Sequence, residues 1–192
     1  MFAGALAAGG MVVTSAAPAF AATILTCTGL TGGATLSPGI SNTPNQQTIS
    51  DPANVTGCSG TQAGSIVKGT TTFNNLKTLA TGNPPSQPTC NGLLNPSPNG
   101  TLIASGGAAT TVWKDSGNVT QGTSTGSLKL KSTGAVAQAK AIIKITSGKF
   151  FQAGKTTKAK VTVNFAPSPG QTCPTLTHVD TTNANNLVIT QV

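Results

Sequence analysis

The chain has 192 residues, enough for one domain, and its contents of charged residues (7%) and aromatic residues (4%) are both low. An average soluble protein contains about 25% charged residues. The formal net charge of +8 comes from lysine alone, and only Asp51, Asp115 and Asp180 oppose it. Proteins that read nucleic acids depend on arginine and on stacking aromatic side chains, so this composition argues against specific nucleic-acid binding.

Residues 1–21 have the features of a secretory signal peptide. A small, apolar run precedes Pro18, and Ala19-Phe20-Ala21 fits the small-x-small pattern of a cleavage site. No basic residue precedes the apolar run, which indicates that Met1 is an internal start and that a basic segment lies upstream. We expect a secreted, extracellular or envelope-associated protein with one mature domain over 22–192. The apolar run is too short to serve as a transmembrane span.

The four cysteines are candidates for disulfide bonds, because export exposes them to an oxidising environment. Cys27, Cys58, Cys90 and Cys173 are widely separated and lack a C-x-x-C pair, a pattern that does not fit structural zinc. We therefore expect two disulfides, no metal site and no cofactor. Four cysteines allow three pairings, of which we favour Cys27–Cys58 together with Cys90–Cys173.

The chain up to residue 100 is typical of short strands separated by turns. Ser37-Pro38-Gly39 and Asp51-Pro52 have turn chemistry, since proline fixes φ and glycine accepts positive φ. Thr81–Gly100 contains five of the twelve prolines and is expected to form a long surface loop. The predicted strands are Thr23–Thr28, Gln46–Ser50, Val55–Cys58 and Gly64–Thr72, the last with an extension towards Leu79.

Glycine and proline also divide the second half of the chain. Gly106-Gly107 predicts a hairpin between Thr101–Ser105 and Thr110–Lys114. Gly117–Gly126 and Pro167–Pro174 are expected to be loops, and Leu187–Thr190 is the last predicted strand.

Three segments between Ser127 and Phe165 alternate apolar and polar residues with a period of two. Successive side chains of a strand point to opposite faces, so each segment presents one apolar and one polar face. If the three strands are neighbours and in phase, six lysines fall on one face of a sheet. They are Lys129, Lys131, Lys140, Lys144, Lys158 and Lys160.

No segment shows a sustained period of 3.6 residues, so we expect essentially no helix after cleavage of the leader. About nine or ten short strands with frequent turns predict an all-β fold. The specific prediction is a single antiparallel β-sandwich, Ig-like or jelly-roll-like, clamped by two disulfides.

Several short stretches resemble a loose group of uncharacterised secreted actinobacterial β-rich proteins with four cysteines. The stretches are Cys27 followed by residues 34–39, Cys58, Thr111-Val112-Trp113, residues 145–150, and Cys173 ahead of a terminal strand. This resemblance implies secretion and a disulfide-clamped β-fold, and it implies no catalytic residues.

Tests for catalytic motifs find one match to a nucleophile elbow, G-x-S-x-G, with Ser124 at its centre. That motif functions at a strand–turn–helix corner, with an acid and then a histidine later in the chain. Here a lysine-bearing strand follows, and His178 precedes Asp180. The three aspartates are scattered, which does not fit paired-carboxylate hydrolysis. We therefore expect that the protein is not an enzyme.

The lysine-rich face and the sole tryptophan are the candidate binding features. Our leading hypothesis is a structural or interaction protein at the cell surface, whose partner is another surface protein or an envelope polymer. The alternative is a module that binds an anionic polymer or polysaccharide of the envelope through the six lysines, or a sugar through Trp113. Both features also have a simpler interpretation. Lysines on a solvent-facing side of a sheet keep a protein soluble without binding anything, and a tryptophan on a strand often packs in the core.

Overall fold

The computed structural model describes residues 21–80, 87, 89, 97–172, 175–184 and 186–192. These residues contain nine β-strands and no helix, and thus no helix that is long and apolar enough to cross a membrane. The strands are β1 (Ala22–Ile40), β2 (Thr48–Ser59), β3 (Lys68–Thr78), β4 (Leu102–Lys114), β5 (Thr120–Ser132), β6 (Gln138–Gly148), β7 (Thr157–Pro167), β8 (Leu176–Ala184) and β9 (Leu187–Gln191).

The nine strands form one closed antiparallel sheet. Each strand from β1 to β7 pairs with the next strand along the chain, and β1 also pairs with β8 and β9. β8 and β9 lie end to end between β7 and β1, because β9 pairs with residues 22–27 of β1 and β8 with residues 33–40. Every described strand therefore has partners on both sides, an arrangement that removes exposed sheet edges.

The predicted all-β, antiparallel class is confirmed, and its division into two layers is not. A sandwich would need two separate sheets, whereas the described strands belong to a single hydrogen-bonded one. The expected signal peptide lies outside the described residues except for Ala21, so the boundary after residue 21 stays a prediction.

Two predicted turns in the first half of the chain are wrong. β1 continues through Ser37-Pro38-Gly39, and β2 continues through Asp51-Pro52. The ladder between β1 and β2 is interrupted between residues 50 and 53, so the missing N–H of Pro52 falls in that gap. A proline is tolerated inside a sheet at such an irregular position.

Glycine-rich segments in the second half of the chain are predicted to be turns or loops, but in the structure they belong to strands. The prediction of a hairpin at Gly106-Gly107 is wrong, because β4 continues through both glycines. At this point β4 shifts its register against β5, and Gly106 has a φ of 87°. The residues after Val119 belong to β5 rather than to a loop, and β8 has no counterpart among the predicted strands. The neighbouring strands pair with the residues before and after these weak positions and so carry each strand through them.

Buried side chains fill the inside of the closed sheet in two clusters, and Ala141 and Ile143 of β6 pack against both. The larger cluster comprises Ile24, Leu25, Cys27, Val55, Cys58, Ala63, Ile66, Trp113, Ile145, Phe150, Ala159, Val161, Leu187 and Ile189. The smaller comprises Leu36, Ile40, Ile49, Leu76, Ala104, Ala109, Leu128 and Leu176. Period-two alternation on β5–β7 therefore places the lysines outside and the aliphatic residues other than Ile142 inside.

The predicted disulfide between Cys27 and Cys58 is confirmed. The two cysteines are directly opposite each other on β1 and β2, and both side chains are buried in the larger cluster. Cys90 and Cys173, predicted to form the second disulfide, lie outside the described residues.

The connections leave the closed sheet at two ends, which alternate because the strands run up and down. At the first end lie the start of β1, residues 60–67, 115–119 and 149–156, and the end of β9. At the second end lie the connections that follow β1, β3, β5 and β7.

Candidate functional site: a lysine face and an adjacent cleft

The six predicted lysines lie on the outer surface of β5, β6 and β7, which are adjacent and in phase. Five of them are exposed and Lys131 is half-buried. Residues that alternate with them, such as Leu128, Ile145 and Ala159, are buried inside. We call this outer surface of β5–β7, with its six lysines, the lysine face.

The strand register places lysines directly opposite one another. Lys131 is the partner of Lys140, and Lys144 is the partner of Lys158. Directly opposite residues of an antiparallel pair have Cβ atoms about 4.5–5.5 Å apart, and like charges in these positions are destabilising. The folded protein therefore keeps two unfavourable charge pairs on this face.

The half-buried Ile142 lies at the centre of the lysine face. Lys129 on β5 and Lys160 on β7 are its partners on the two sides. The six ammonium groups thus surround a small apolar patch on three adjacent strands, and their field adds up over one continuous surface.

No described carboxylate neutralises this charge. Asp115 accepts hydrogen bonds of 2.9 Å from the backbone N–H of Val119 and from Nε2 of Gln121, within the β4–β5 turn. On β8, Asp180 lies 3.5 Å from Nε2 of His178. Among the described side chains, none of the six lysines lies within ion-pair distance of an acid. The lysine face is therefore cationic and open to an external anion.

Trp113 does not belong to this surface. Its side chain is only 2% exposed, and its Nε1 donates a 2.8 Å hydrogen bond to Oγ of Ser124. Its ring meets the ring of Phe150 edge-on, with centroids 5.4 Å apart and planes at 81°. The position of Trp113 does not fit a sugar-binding platform, because the inside of the sheet covers both faces of the ring.

Ser124 has structural contacts in place of a catalytic arrangement. It is 4% exposed, accepts the bond from Trp113 and donates from Oγ to the backbone oxygen of Lys149 at 2.5 Å. His178 lies on β8, which is not a neighbour of β5, and its Nδ1 is 3.3 Å from Oγ1 of Thr35. The described residues therefore do not place a base beside Ser124.

An open cleft of about 340 Å³ lies at the first end of the sheet. The β2–β3 loop, the β6–β7 loop and the end of β9 contribute to it. Its lining residues are Gln62, Lys149, Phe150, Phe151, Gln152 and Gln191. Sequence reasoning missed this cleft, because three distant segments form it. The adjacent Phe150 and Phe151, in a chain with only six phenylalanines, were the available signal.

Turns and side-chain contacts fix the β6–β7 loop at the cleft. The backbone N–H of Phe151 donates to the oxygen of Gly148 at 3.1 Å, which closes a tight turn. Phe150 within this turn has a φ of 67° and is buried. Nε2 of the buried Gln191 donates to the backbone oxygen of Phe150 at 3.5 Å and to Oγ1 of Thr157 at 3.0 Å. The loop is therefore joined to both β7 and β9.

Comparison with known proteins adds no relative. No family model matches the chain, and no curated protein or solved structure shows significant similarity to it.

Proposed function

We propose that the protein is a secreted, non-enzymatic module that binds an anionic polymer of the cell envelope through the lysine face. The single observation that carries this proposal is the register of β5–β7, which sets Lys131 opposite Lys140 and Lys144 opposite Lys158, with no described carboxylate within ion-pair distance. A bound anion turns these destabilising pairs into favourable contacts, because it supplies the missing countercharge.

A polymer fits this surface better than a small anion. The lysines are spread over three strands, with Ile142 in their centre, and most are exposed rather than gathered into a pocket. Exposed lysines contribute individually weak attractions that become useful when many act on one extended ligand. The export signal predicted at residues 1–21 supports an envelope location, and the buried Cys27–Cys58 disulfide is compatible with it.

The second disulfide remains part of this proposal. Cys90 lies between β3 and β4 in the sequence, and Cys173 lies between β7 and β8, so neither belongs to a strand of the lysine face. Mass spectrometry of a non-reduced digest of the mature protein tests a bond between them, and two free thiols there would contradict it.

The binding test compares two four-lysine variants with equal net charge. One replaces Lys131, Lys140, Lys144 and Lys158 by glutamine, and the other replaces Lys68, Lys77, Lys114 and Lys155, which lie outside the face. The probes are polygalacturonate and poly-L-glutamate, measured by titration calorimetry at low salt. We expect the face variant to bind both probes about 1,000-fold more weakly, since each of the four lysines contributes about 1 kcal/mol near an anionic surface.

The off-face variant is expected to lose less than about threefold, since it changes only the general field of the protein. Binding of the wild type should also weaken steeply as salt rises from about 50 to 500 mM, where exposed charges are screened. An equal loss in both variants would mean that binding depends only on the net charge of the protein, and it would overturn a specific role for the lysine face.

A further inference from the structure

We propose that the cleft at the first end binds one sugar ring of the anionic polymer, so that the polymer is a polysaccharide. This inference rests on the proposed function of the lysine face and adds to it the chemical class of the ligand. The lysine face alone does not distinguish an acidic polysaccharide from any other chain of negative charges.

The chemistry of the lining favours a sugar. Phe151 is 45% exposed beside the cleft, and an exposed aromatic ring offers a flat apolar surface that covers the C–H face of a pyranose. Gln62 and Gln152 are exposed and supply amide groups. An amide carries both donors and an acceptor, which matches hydroxyl groups that also donate and accept.

The charge of the cleft selects against a cation and permits an acidic sugar. Its lining contains no carboxylate, and its only charged group is Lys149, whose Nζ lies 5.9 Å over the ring of Phe150. This position allows a cation–π contact that holds the ammonium group near the cleft. A sugar carboxylate within reach of Lys149 gains a countercharge, whereas a cationic ligand is repelled.

The walls of the cleft are already ordered. Phe150 is an aromatic residue with a φ of 67°, a conformation that costs about 1–3 kcal/mol and persists only when its surroundings enforce it. The contacts of its ring with Trp113 and of its backbone oxygen with Gln191 enforce it here. Because Phe150 is anchored inside, the next residue, Phe151, is held towards solvent, and binding needs little reordering of the loop.

The cleft and the lysine face are continuous. Both are built by β6 and β7, since the β6–β7 loop lines the cleft and Lys144 and Lys158 form the nearest row of the face. Lys144 precedes the end of β6 at Gly148 by four residues, which corresponds to about 13 Å along a strand. One polymer chain is therefore able to place a ring in the cleft and its next charges on the lysines.

Exposed apolar side chains concentrate at the same end. Of the large ones among the described residues, Val67, Val119, Phe151 and Val192 lie at the first end and only Val136 lies at the second. The first end thus has apolar surface beside its amide groups, as carbohydrate-binding surfaces require.

The test uses Phe151→Ala and the same two probes. Both carry one carboxylate per unit, but only polygalacturonate has sugar rings. We expect this variant to bind polygalacturonate about tenfold more weakly, a typical upper value for one aromatic contact, with poly-L-glutamate binding unchanged. The double variant Gln62→Ala/Gln152→Ala should lose several-fold on polygalacturonate alone. Val136→Ala, which truncates a 52% exposed side chain at the second end, is the matched control and should change neither.

The outcomes separate this inference from the proposed function. If Phe151→Ala has no effect on polygalacturonate, or weakens both probes equally, the cleft does not bind a sugar, even where the face lysines prove necessary. If the four-lysine face variant binds both probes like the wild type, the lysine face itself is not the binding surface and the proposed function fails.

Discussion

The outer surfaces of β2–β4 and β5–β7 belong to the same closed sheet and differ in their polar chemistry. On β2–β4, hydroxyl and amide groups satisfy one another: Oγ1 of Thr70 donates to Oδ1 of Asn54 at 2.8 Å. Thr72 donates to the backbone oxygen of Thr110 at 3.4 Å. We call the outer side of β2–β4 the threonine surface. On the lysine face, two of the cross-strand pairs, Lys131–Lys140 and Lys144–Lys158, consist of two ammonium groups.

This difference shows that neutral polar residues are able to cover the outside of the sheet without a cluster of charges. The threonine surface carries one opposed lysine pair, Lys68 and Lys114, both half-buried, and one exposed lysine without an opposed lysine, Lys77. Its other outward residues are mostly neutral and polar. Threonines in place of the lysines would also be compatible with β5–β7, because threonine favours strands. Six of the eleven lysines nevertheless occupy three adjacent strands. Clustering them costs stability, so a binding role explains the lysine face better than solubility does.

The largest effect is expected from removing the Cys27–Cys58 disulfide, which lies beside the threonine surface and outside the strands of the lysine face. The disulfide joins β1 to β2 with a sequence separation of 31 residues. A loop of this length corresponds to about 3–4 kcal/mol of stabilisation through the unfolded state. We expect Cys27→Ala/Cys58→Ala to lose about this much free energy of unfolding, measured by urea denaturation.

The same variant should bind polygalacturonate like the wild type at temperatures where it remains folded, because the lysine face is built by β5–β7. Unchanged stability would show that strand pairing alone fixes β1 against β2. Lost binding in the folded protein would show that the two surfaces are not independent, and the comparison between them would then break down.

A smaller effect comes from reversing one charge on the lysine face. Lys144→Glu replaces a like-charge pair with Lys158 by an opposite-charge pair, and cross-strand pairs contribute roughly 0.2–1 kcal/mol. We expect this variant to be more stable by about 0.5–1 kcal/mol and to bind the anionic probes more weakly. Stability gained with binding lost is the signature of a surface that is kept strained for its ligand.

Lys77→Glu is the matched control for this reversal. Lys77 lies on β3 opposite Thr48 and Ser105, so its charge faces no lysine across the strands. The control makes the same change in net charge and should leave stability within about 0.3 kcal/mol, as is usual for an isolated surface charge. An equal gain in both variants would attribute the effect to net charge rather than to the opposed pair.

The sequence predicted the lysine face because period-two alternation on β6 and β7 is regular. Apolar residues such as Ile143, Ile145 and Ala159 mark the inner side, and the register then follows from burying that side. The sequence did not predict strand continuity through Pro52 or Gly106, because turn chemistry is a local signal. In the closed sheet, the paired residues before and after these positions carry each strand through them.

Other features were hidden for a different physical reason. β8 has few large apolar residues apart from Leu176, and its position between β7 and β1 is set by its partners rather than by its own pattern. The cleft joins Gln62, Gln191 and the β6–β7 loop, which only the closure of the sheet brings together. Long-range assembly of this kind leaves no periodic trace in one sequence.

The smallest expected effect is the response of stability to salt. If the opposed lysines repel each other in the folded state, screening by sodium chloride should stabilise the wild type. Between about 20 and 500 mM the Debye length falls from roughly 20 Å to about 4 Å, so most of this repulsion is removed. We expect a gain of about 0.5 kcal/mol, which corresponds to a rise of about 1–2 °C in the melting temperature.

The four-lysine face variant isolates this effect from the general influence of salt on burial. Both proteins share the same buried interior, so the difference between their salt responses reports only the charges removed. The face variant removes two opposed lysine pairs and should respond about half as strongly as the wild type or less. The variant at Lys68, Lys77, Lys114 and Lys155 removes only the opposed pair Lys68–Lys114 and should lose less of the response. Equal salt responses in all three proteins would mean that the opposed lysines avoid one another by reaching into solvent. The register of β5–β7 would then carry no energetic cost, and the lysine face would lose its strongest physical distinction from the threonine surface.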